Sequence, residues 1–261
     1  MDLQLRDKLA IVTGSSKGIG RAIAAGLARE GAHVVVNGRS EASVGEAIDA
    51  IRADIPHATL HPFAGDLATA EAAEALVRAF PEPDILVNNL GIFAPVPFEQ
   101  ISDDEWRRFF EVNVLSGVRL SRMVVGGMKA RDWGRIVFIS SESGIQVDRM
   151  IHYRMTKTAQ LAVSRGTAQS CAGTGVTVNA VLPGPTHSDG VDTFVAALSG
   201  GRPFEEFEAE FFRDVRPTSL IKRFATVDEV ANLVTYVCSP LSSATNGAAL
   251  RVDGGVVQAC F

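Results

Sequence analysis

The chain has 261 residues, a length that suits one α/β domain with a single large core. Its 46% hydrophobic and 21% charged residues are typical of a globular protein, and a formal charge of −5 argues against nucleic acid as a partner. No apolar run reaches the roughly 20 residues of a membrane span, and from the first residues we expect no secretory signal. Three widely spaced cysteines form no metal-binding pattern and suit free thiols, so we expect a cytoplasmic location.

Short β-branched segments alternate with longer segments of helical periodicity along almost the whole chain. The first strand candidates are continuous apolar runs, which is typical of strands buried on both faces of a parallel sheet. Repeated βα units predict a doubly wound, parallel seven-stranded sheet, the Rossmann fold, in a single domain over 1–261. The predicted strands are Leu9–Thr13, His33–Asn37, Thr59–Phe63, Ile85–Asn88, Arg135–Ser140, Val176–Leu182 and Ala249–Val252.

Helical patterns lie between most of these strands, and Gly31 is placed to end the first of them. The clearest predicted helices are Ile19–Glu30, Glu71–Phe80, Asp103–Met128, His152–Ala172 and Val227–Val237. The segment Pro183–Phe224 is less regular, but its phenylalanines recur at spacings of three and four and predict a helix with one aromatic face. Because it follows the sixth strand, we expect a substrate lid at about 187–222. Permanent packing of the same phenylalanines on the sheet is an equal alternative.

The first strand runs into the sequence TGSSKGIG, and a helical pattern begins at once. Glycines in such a turn let the backbone approach a pyrophosphate, and the helix N-terminus offers N–H groups and a partial positive charge to the phosphates. This position in a βαβ unit predicts a dinucleotide site rather than a plain turn. Its residues are Gly14, Ser16, Lys17, Gly18, Ile19 and Gly20.

The second strand ends with Asn37, Gly38 and Arg39. A chain that binds NAD usually carries an acid here for the ribose 2′-hydroxyl, whereas Arg39 can pair with a 2′-phosphate and Lys17 can add a second charge. We therefore expect NADP(H) to be preferred, with NAD(H) possible. The alternative is a pair of surface cations in exposed turns.

Tyr153 and Lys157 are four residues apart in a helical pattern, so their side chains share one face. A phenol has a pKa of about 10, and a cation one turn away favours the phenolate and lowers that pKa. Such a pair can exchange a proton near neutral pH. Taken alone, it is also compatible with a partly buried tyrosine beside a lysine that faces solvent.

The order of these and later motifs resembles the short-chain dehydrogenase/reductase family, in particular 3-oxoacyl-(acyl-carrier-protein) reductases and gluconate 5-dehydrogenase-like members. The resemblance implies an NADP(H)-dependent enzyme that interconverts a ketone and a secondary alcohol, takes a small-molecule substrate and forms a homotetramer or dimer. It extends from Leu5 to about Val257. The motifs that carry it are TGSSKGIG, Asn88–Gly91, Asn113, Ser140-Ser141, Tyr153 with Lys157, Pro183-Gly184 and Val252–Gly255.

The resemblance implies that Tyr153 is the general acid in reduction and the base in oxidation, and that Lys157 holds the nicotinamide ribose and tunes the tyrosine. Asn113 would hold a water that links Lys157 to solvent, and a serine would polarise the substrate oxygen. Alignment of the fifth strand gives Ser141, although Ser140 has the usual spacing of 13 from the tyrosine. Adjacent strand residues point to opposite faces, so one serine serves, and we expect Ser141.

The resemblance also assigns the remaining cofactor contacts, with two departures from the family pattern: Leu90 stands in place of an alanine, and Ser188 in place of a threonine. Contacts to adenine are implied for Asp66 and Leu67, to the adenosine ribose side for Asn88 and Gly91, and to the nicotinamide carboxamide and its turn for Pro183, Gly184, Thr186 and Ser188.

Three alternatives stay open. A Rossmann redox sensor or scaffold without turnover would not need the Ser/Tyr/Lys/Asn set, and a methyltransferase or nucleotide-sugar enzyme would lack the Tyr153–Lys157 pair. Within the family, a sugar or polyol dehydrogenase shares every motif. Extra apolar surface on two of the predicted helices and on the C-terminal part predicts a homo-oligomer.

Overall fold

The computed structural model of the protein describes residues 1–146, 150–188 and 203–260. Within them lies a seven-stranded, all-parallel sheet of order β3-β2-β1-β4-β5-β6-β9, and β7 pairs with β8 in a small second sheet. The strand order reverses between β1 and β4, where a crevice opens at the carboxyl edge. The strands are β1 Leu9–Val12, β2 His33–Gly38, β3 Thr59–Ala64, β4 Ile85–Asn88, β5 Gly134–Ile139, β6 Val176–Pro183, β7 Thr186–His187, β8 Ala225–Thr226 and β9 Ala249–Val252.

Helices cover both faces of the large sheet and lie close to their predicted positions. Gly31 follows the C-cap of α1 with a φ of +85°, as a residue that ends a helix in the left-handed conformation does. The described helices are α1 Gly18–Arg29, α2 Glu41–Asp54, α3 Ala70–Ala79, α4 Asp103–Phe110, α5 Ser116–Ala130, α6 Ile151–Ser170, α7 Phe204–Asp214 and α8 Val227–Val237.

Successive residues of each buried strand face opposite helical layers. In β1, Ala10 and Val12 pack in a core with apolar residues of α1, α2 and α8, while Ile11 packs in a second core with residues of α3, α5 and α6. Both faces of the sheet are therefore covered, which explains why the strands read as continuous apolar runs. The predicted doubly wound parallel sheet is confirmed.

The prediction of one long helix over Asp103–Met128 is wrong in one respect. A π-helical turn over Glu111–Leu115 separates α4 from α5. Such a turn inserts one residue into the helical repeat, which a count of apolar spacings does not resolve, and π turns are frequent at functional sites. Asn113 lies in this turn.

The predicted aromatic helix is present as α7, and its phenylalanines pack together with Phe224 in a separate apolar cluster. The Phe224 N–H donates to Glu208 Oε1 at 2.8 Å. The small β7–β8 sheet joins the two ends of the segment that contains α7. Of the lid expected at about 187–222, residues 189–202 lie outside the described residues.

Candidate active site

The turn between β1 and α1 has the shape of a phosphate cradle. Gly14 and Gly18 have φ values of +60° and +55°, a conformation that glycine adopts without strain. A Cβ at Gly20 would lie 2.4 Å from the Gly14 carbonyl oxygen, so α1 can begin this close to the loop only with glycine there. Ser16 is partly buried and Lys17 exposed in the same loop. The first turn of α1 carries no acidic side chain, so its N-terminus can hold an anion.

Two asparagines hold this loop in place. Asn37 Oδ1 accepts from the Gly14 N–H at 2.9 Å, while its Nδ2 donates to the Gly65 carbonyl at 3.1 Å. Asn89 Nδ2 donates to the carbonyls of Thr13 and Gly14 at 2.9 and 3.0 Å. The sequence prediction missed both supporting roles. The available signal was an amide side chain at the carboxyl end of a buried strand.

Arg39 follows the end of β2, Lys17 lies in the neighbouring glycine loop, and side chains crowd Gly38 between them. Lys17 and Arg39 are exposed, and neither has an acidic partner in the described part of the chain. A Cβ at Gly38 would lie 2.9 Å from Ser43 Oγ and 3.1 Å from the Ser16 Cβ. A carboxylate side chain at position 38 would therefore force these neighbours to move.

The residues expected near the adenosine differ in what they can offer. Asp66 is exposed, and its Oδ1 accepts from the Ala68 N–H at 3.1 Å. The Leu67 side chain is 1% exposed in the core, so only its backbone can reach a ligand. Gly91 lines the cleft, and a Cβ there would be 3.5 Å from Lys157 Nζ.

Asn88 and Asn89 point in opposite directions, as successive residues at a strand end do. Asn88 is buried, and its Nδ2 donates to Ser121 Oγ of α5 at 3.1 Å, so its side chain faces away from the cleft. Leu90 packs beside the glycine loop, since a Cβ at Gly14 would lie 3.5 Å from Leu90 Cδ1. The side chain that reaches the cleft from this motif is that of Asn89.

Lys157 is buried in the wall of the cleft. Its Nζ donates to the Ile139 carbonyl at 2.8 Å and to Gln160 Oε1 at 3.3 Å. Burial disfavours the charged form and lowers the pKa of Lys157 to about 7. The lysine can therefore gain or lose a proton near neutral pH.

Tyr153 lines the cleft one turn before this lysine. The Lys157 Nζ lies 5.6 Å from the centroid of the tyrosine ring, and Phe93 approaches the same ring edge-on with a centroid distance of 6.4 Å. Tyr153 is partly exposed, so its side chain is accessible from the cleft. The structure thus places the predicted pair on one face of α6.

His152, the neighbour of this tyrosine, is buried on the other side of α6. Its ring lies 4.0 Å from that of Phe109 between centroids, and Trp106 meets it edge-on at 6.0 Å. Neither ring nitrogen has a hydrogen-bond partner in the described part of the chain. Desolvation by burial lowers the pKa of His152.

The two serines after β5 differ in how their hydroxyl groups are hydrogen-bonded. Ser140 Oγ donates to the Lys157 carbonyl at 2.9 Å and so fixes α6 against the strand. Ser141 Oγ accepts from the Ser143 N–H at 3.1 Å, an arrangement that leaves its hydroxyl hydrogen for a ligand in the cleft. Both serines line the cleft, but Ser140 has its hydrogen committed to the backbone.

Asn113 lies beneath the loop that follows β4. Its side chain accepts from the Ile92 N–H at 2.7 Å and donates to the Ile92 carbonyl at 3.0 Å and to Thr156 Oγ1 at 2.9 Å. Its own carbonyl accepts from Gln160 Nε2 at 2.5 Å. Gln160 was missed by the sequence prediction, although it lies on the Tyr153–Lys157 face of α6, three residues past the lysine.

The turn after β6 closes the other side of the cleft. Pro183, Gly184, Thr186 and Ser188 all line it. Thr186 Oγ1 donates to the Gly184 carbonyl at 2.9 Å. A Cβ at Gly184 would lie 2.6 Å from the Asp253 carbonyl oxygen, so the two turns can meet only with glycine at 184.

Between these walls lies a cleft of about 740 Å³, a volume within the range of small-molecule sites. One wall of the cleft is aromatic and is formed by Phe207 and Phe211 of α7 and by Phe224. Ile19 and Pro95 add further apolar surface.

One ion pair interrupts this apolar wall. Arg216 Nε and Nη2 each lie 3.0 Å from Glu142 Oε1, and both side chains are largely buried at the cleft. Glu142 directly follows Ser141, while Arg216 follows α7. The pair therefore links the serine side of the cleft to the aromatic side.

Comparisons with known proteins agree with this geometry. The family model described as short chain dehydrogenase matches residues 8–232. An uncharacterised oxidoreductase, YvaG of Bacillus subtilis, is 50% identical over the full length of both chains. The 3-oxoacyl-(acyl-carrier-protein) reductase FabG of Aquifex aeolicus is 32% identical, with 98% of this chain and 100% of the relative covered.

A solved structure shares nearly the whole fold. The L-sorbose reductase of Gluconobacter frateurii, complexed with NADPH and L-sorbose, superposes with a TM-score of 0.92 at 31% identity, covering 99% of this chain and 100% of that one. Among the described residues, no helix combines the length and apolar character needed to cross a membrane. The chain belongs to the short-chain dehydrogenase/reductase family and is an oxidoreductase that acts on carbonyl and alcohol groups with a nicotinamide cofactor.

Proposed function

We propose that the protein is an NADP(H)-dependent ketone reductase, which also oxidises the corresponding secondary alcohol, with Tyr153 as the general acid and base. One observation carries this proposal: Tyr153, Lys157 and Ser141 share a cleft with Ile19 of the glycine-loop helix. A proton donor, a cation and a second hydroxyl thus meet beside a phosphate cradle.

The residues present fit a nicotinamide dinucleotide. The glycine loop would hold the pyrophosphate, Gly91 the adenosine ribose side, Lys157 the nicotinamide ribose, and Thr186 with Ser188 the carboxamide. Asp66 and the Leu67 backbone would border the adenine. When bound, the cofactor supplies or accepts the hydride.

The side chains around Tyr153 control the proton. In reduction its hydroxyl donates to the substrate oxygen, where negative charge develops, and Ser141 donates a second hydrogen bond. The nearby Lys157 ammonium favours the phenolate that remains. Reduction therefore requires a protonated Lys157 and slows as pH rises through the pKa of this lysine, about 7 before ligands bind.

The preference for NADP(H) is proposed from the end of β2. Arg39 and Lys17 are exposed cations, and the contacts around Gly38 oppose an acid that would repel a 2′-phosphate. NAD(H) lacks this 2′-phosphate.

We further propose a substrate with an apolar portion beside its carbonyl. The aromatic wall of α7 and Phe224 favours aliphatic or aromatic groups over water. The segment at about 187–222 would act as a lid, within one domain that spans the chain.

A panel of ketones tests this function. NADPH and NADH are supplied in turn, and oxidation is followed at the nicotinamide absorbance band. We expect turnover of aliphatic or aromatic ketones, with a higher kcat/KM for NADPH. Absence of turnover with every ketone would contradict the reductase, and a higher kcat/KM with NADH would contradict the cofactor preference.

A specific observation favours a second candidate, a reductase of sugars or polyols. The Glu142–Arg216 pair adds hydrogen-bonding groups to the cleft, and the L-sorbose reductase has a similar fold. Better turnover of L-sorbose or gluconate-derived ketones than of apolar ketones would select this candidate.

We also propose a homo-oligomer, a tetramer or dimer, in the cytoplasm. Leu220 is 82% exposed and Ile221 41%, and both lie against the Gly254–Gly255 turn near the C-terminus. Such apolar surface is typical of a subunit interface. Light scattering at micromolar concentration tests the assembly.

A further inference from the structure

Gln160 joins the buried lysine to the π-helical turn. Its Oε1 accepts from Lys157 Nζ at 3.3 Å, and its Nε2 donates to the Asn113 carbonyl at 2.5 Å. Only 2% of the glutamine is exposed. One amide therefore satisfies two groups, the ammonium and the carbonyl, that would otherwise be buried without this partner.

The family resemblance implies that Asn113 holds a water leading from Lys157 to solvent, and Gln160 adds a direct side-chain contact to the Asn113 carbonyl. Here the hydrogen that reaches the Asn113 carbonyl comes from a side chain. An amide holds its hydrogens firmly, so it positions its neighbours but does not pass protons as a water does.

We propose that Gln160 is a positioning residue, which fixes the Lys157 ammonium by a direct amide bridge to the Asn113 carbonyl. The inference rests on the function proposed above, because it assigns Lys157 to the cofactor ribose and to Tyr153. The bridge keeps Nζ against the Ile139 carbonyl and directs its remaining N–H toward the cleft.

The bridge also affects the charge of Lys157. A carbonyl oxygen that accepts from an ammonium favours the protonated form and offsets part of the effect of burial. Among the described residues packed around α6, the ionisable groups include Tyr153 on the same face, Glu142 after β5 with its partner Arg216, and the Glu105–Arg108 pair of α4 beside His152. Lys129 of α5 donates to the Ser170 carbonyl at the far end of the helix. None of these acids is hydrogen-bonded to the lysine, so the amide is its polar side-chain partner.

Three substitutions separate positioning from simple packing. Gln160→Leu fills the space but removes both hydrogen bonds, whereas Gln160→Glu places a carboxylate beside the ammonium. Gln160→Ala leaves room for a water between the two groups. Gln169→Leu, on the exposed end of the same helix, is the matched control.

The readout needs no turnover. NADPH affinity is measured by fluorescence from pH 6 to 9 in the absence of substrate, and Lys157→Met supplies the baseline for every other titrating group. For each protein, the NADPH affinity minus that of Lys157→Met is plotted against pH. The midpoint of this curve reports protonation of Lys157. We expect Gln160→Leu to lower this midpoint and Gln160→Glu to raise it, each by about 0.5 to 1 pH unit. Gln160→Ala and Gln169→Leu should stay near the wild-type value.

Ketone reduction at pH 7 gives a second readout, in which Gln160→Leu should lose about 10-fold in kcat and Gln160→Ala much less. Equal midpoints for Gln160→Leu and wild type would overturn the inference, as would shifts of Gln160→Leu and Gln160→Glu in the same direction. If Gln160→Leu fails to fold, the shift of Gln160→Glu relative to Gln160→Ala decides. Failure of the reductase function would instead appear as absent turnover in the wild type.

Discussion

The two walls of the cleft are built in different ways. The wall formed by the end of β5 and by α6, with the π-helical turn behind it, is polar and internally bonded: Lys157, Gln160, Ser140 and Asn113 all donate to fixed backbone carbonyls. The wall formed by α7 is aromatic, and its cluster packs mainly on itself and Phe224. Hydrogen bonds fix positions more strictly than apolar contacts do, so on the proposed function the first wall would place the chemistry and the second would fit the substrate's shape.

The largest expected effect tests the polar wall. Tyr153→Phe removes one hydroxyl and leaves the ring contact with Phe93, so folding and cofactor affinity should persist. Loss of the proton donor should lower kcat for ketone reduction by at least about 100-fold. Steady-state rates, with NADPH fluorescence as the control for binding, make the measurement. A variant that retained a tenth of wild-type activity would show that the acid lies elsewhere.

The next largest effect is expected at Arg39, which follows the end of β2 in the proposed cofactor site. Arg39→Ala should lower the ratio of kcat/KM for NADPH over NADH by about 10- to 100-fold, because a charge-assisted pair with the 2′-phosphate is lost. Arg52→Ala, an exposed arginine of α2, is the matched control. An unchanged ratio in Arg39→Ala would assign the preference to other residues.

A smaller effect is expected at the aromatic wall. Phe211 stacks near Phe207 and Phe224, with centroid distances of 6.1 and 5.0 Å. Phe211→Ala should raise KM for apolar ketones about 10-fold, since apolar contact is lost, and should leave NADPH affinity unchanged. Phe98→Ala, at a phenylalanine 58% exposed outside the cleft, controls for loss of an aromatic ring. A loss of NADPH affinity as large as the rise in KM for the ketone would mean that the two walls are not independent.

The smallest effect lies behind the polar wall, at His152. Its pKa is lowered by burial, so the unfolded chain binds the proton first as pH falls below the ordinary value of about 6.5. The contribution of His152 to stability is therefore intact above that pH and is lost as pH falls toward the folded pKa. Urea midpoints at pH 7.5 and 5.5 measure this loss. His152→Phe should reduce the difference between the two midpoints, and an unchanged difference would place the titration elsewhere.

The shape of the glycine loop and the placement of Tyr153 beside Lys157 could be predicted from the sequence because their signals are local. The glycine loop lies between a strand and a helix that are adjacent in the chain, and Tyr153 and Lys157 are one helical turn apart. Local periodicity also predicted all seven strands of the large sheet to within about two residues at each end. The local backbone conformation and the side chains nearby in the chain together determine the loop, the pair and the strands.

The features that were missed depend on contacts between distant segments. Gln160 receives its role from a π turn in another helix, and Arg216 meets Glu142 across 74 residues of chain. The direction of Asn88 depends on whether a partner such as Ser121 lies behind it. No spacing within one segment contains that information, because tertiary packing creates each partner.

The small β7–β8 sheet has a consequence for how this molecule can diverge. By joining Thr186–His187 to Ala225–Thr226, it keeps the two ends of the intervening segment close together, whatever that segment contains. Loop-closure entropy rises only slowly with length, about 0.6 kcal/mol for each doubling, so insertions between these ends are tolerated. The segment can thus be replaced, during evolution or by grafting, while the parallel sheet and the Tyr153–Lys157 pair stay unchanged.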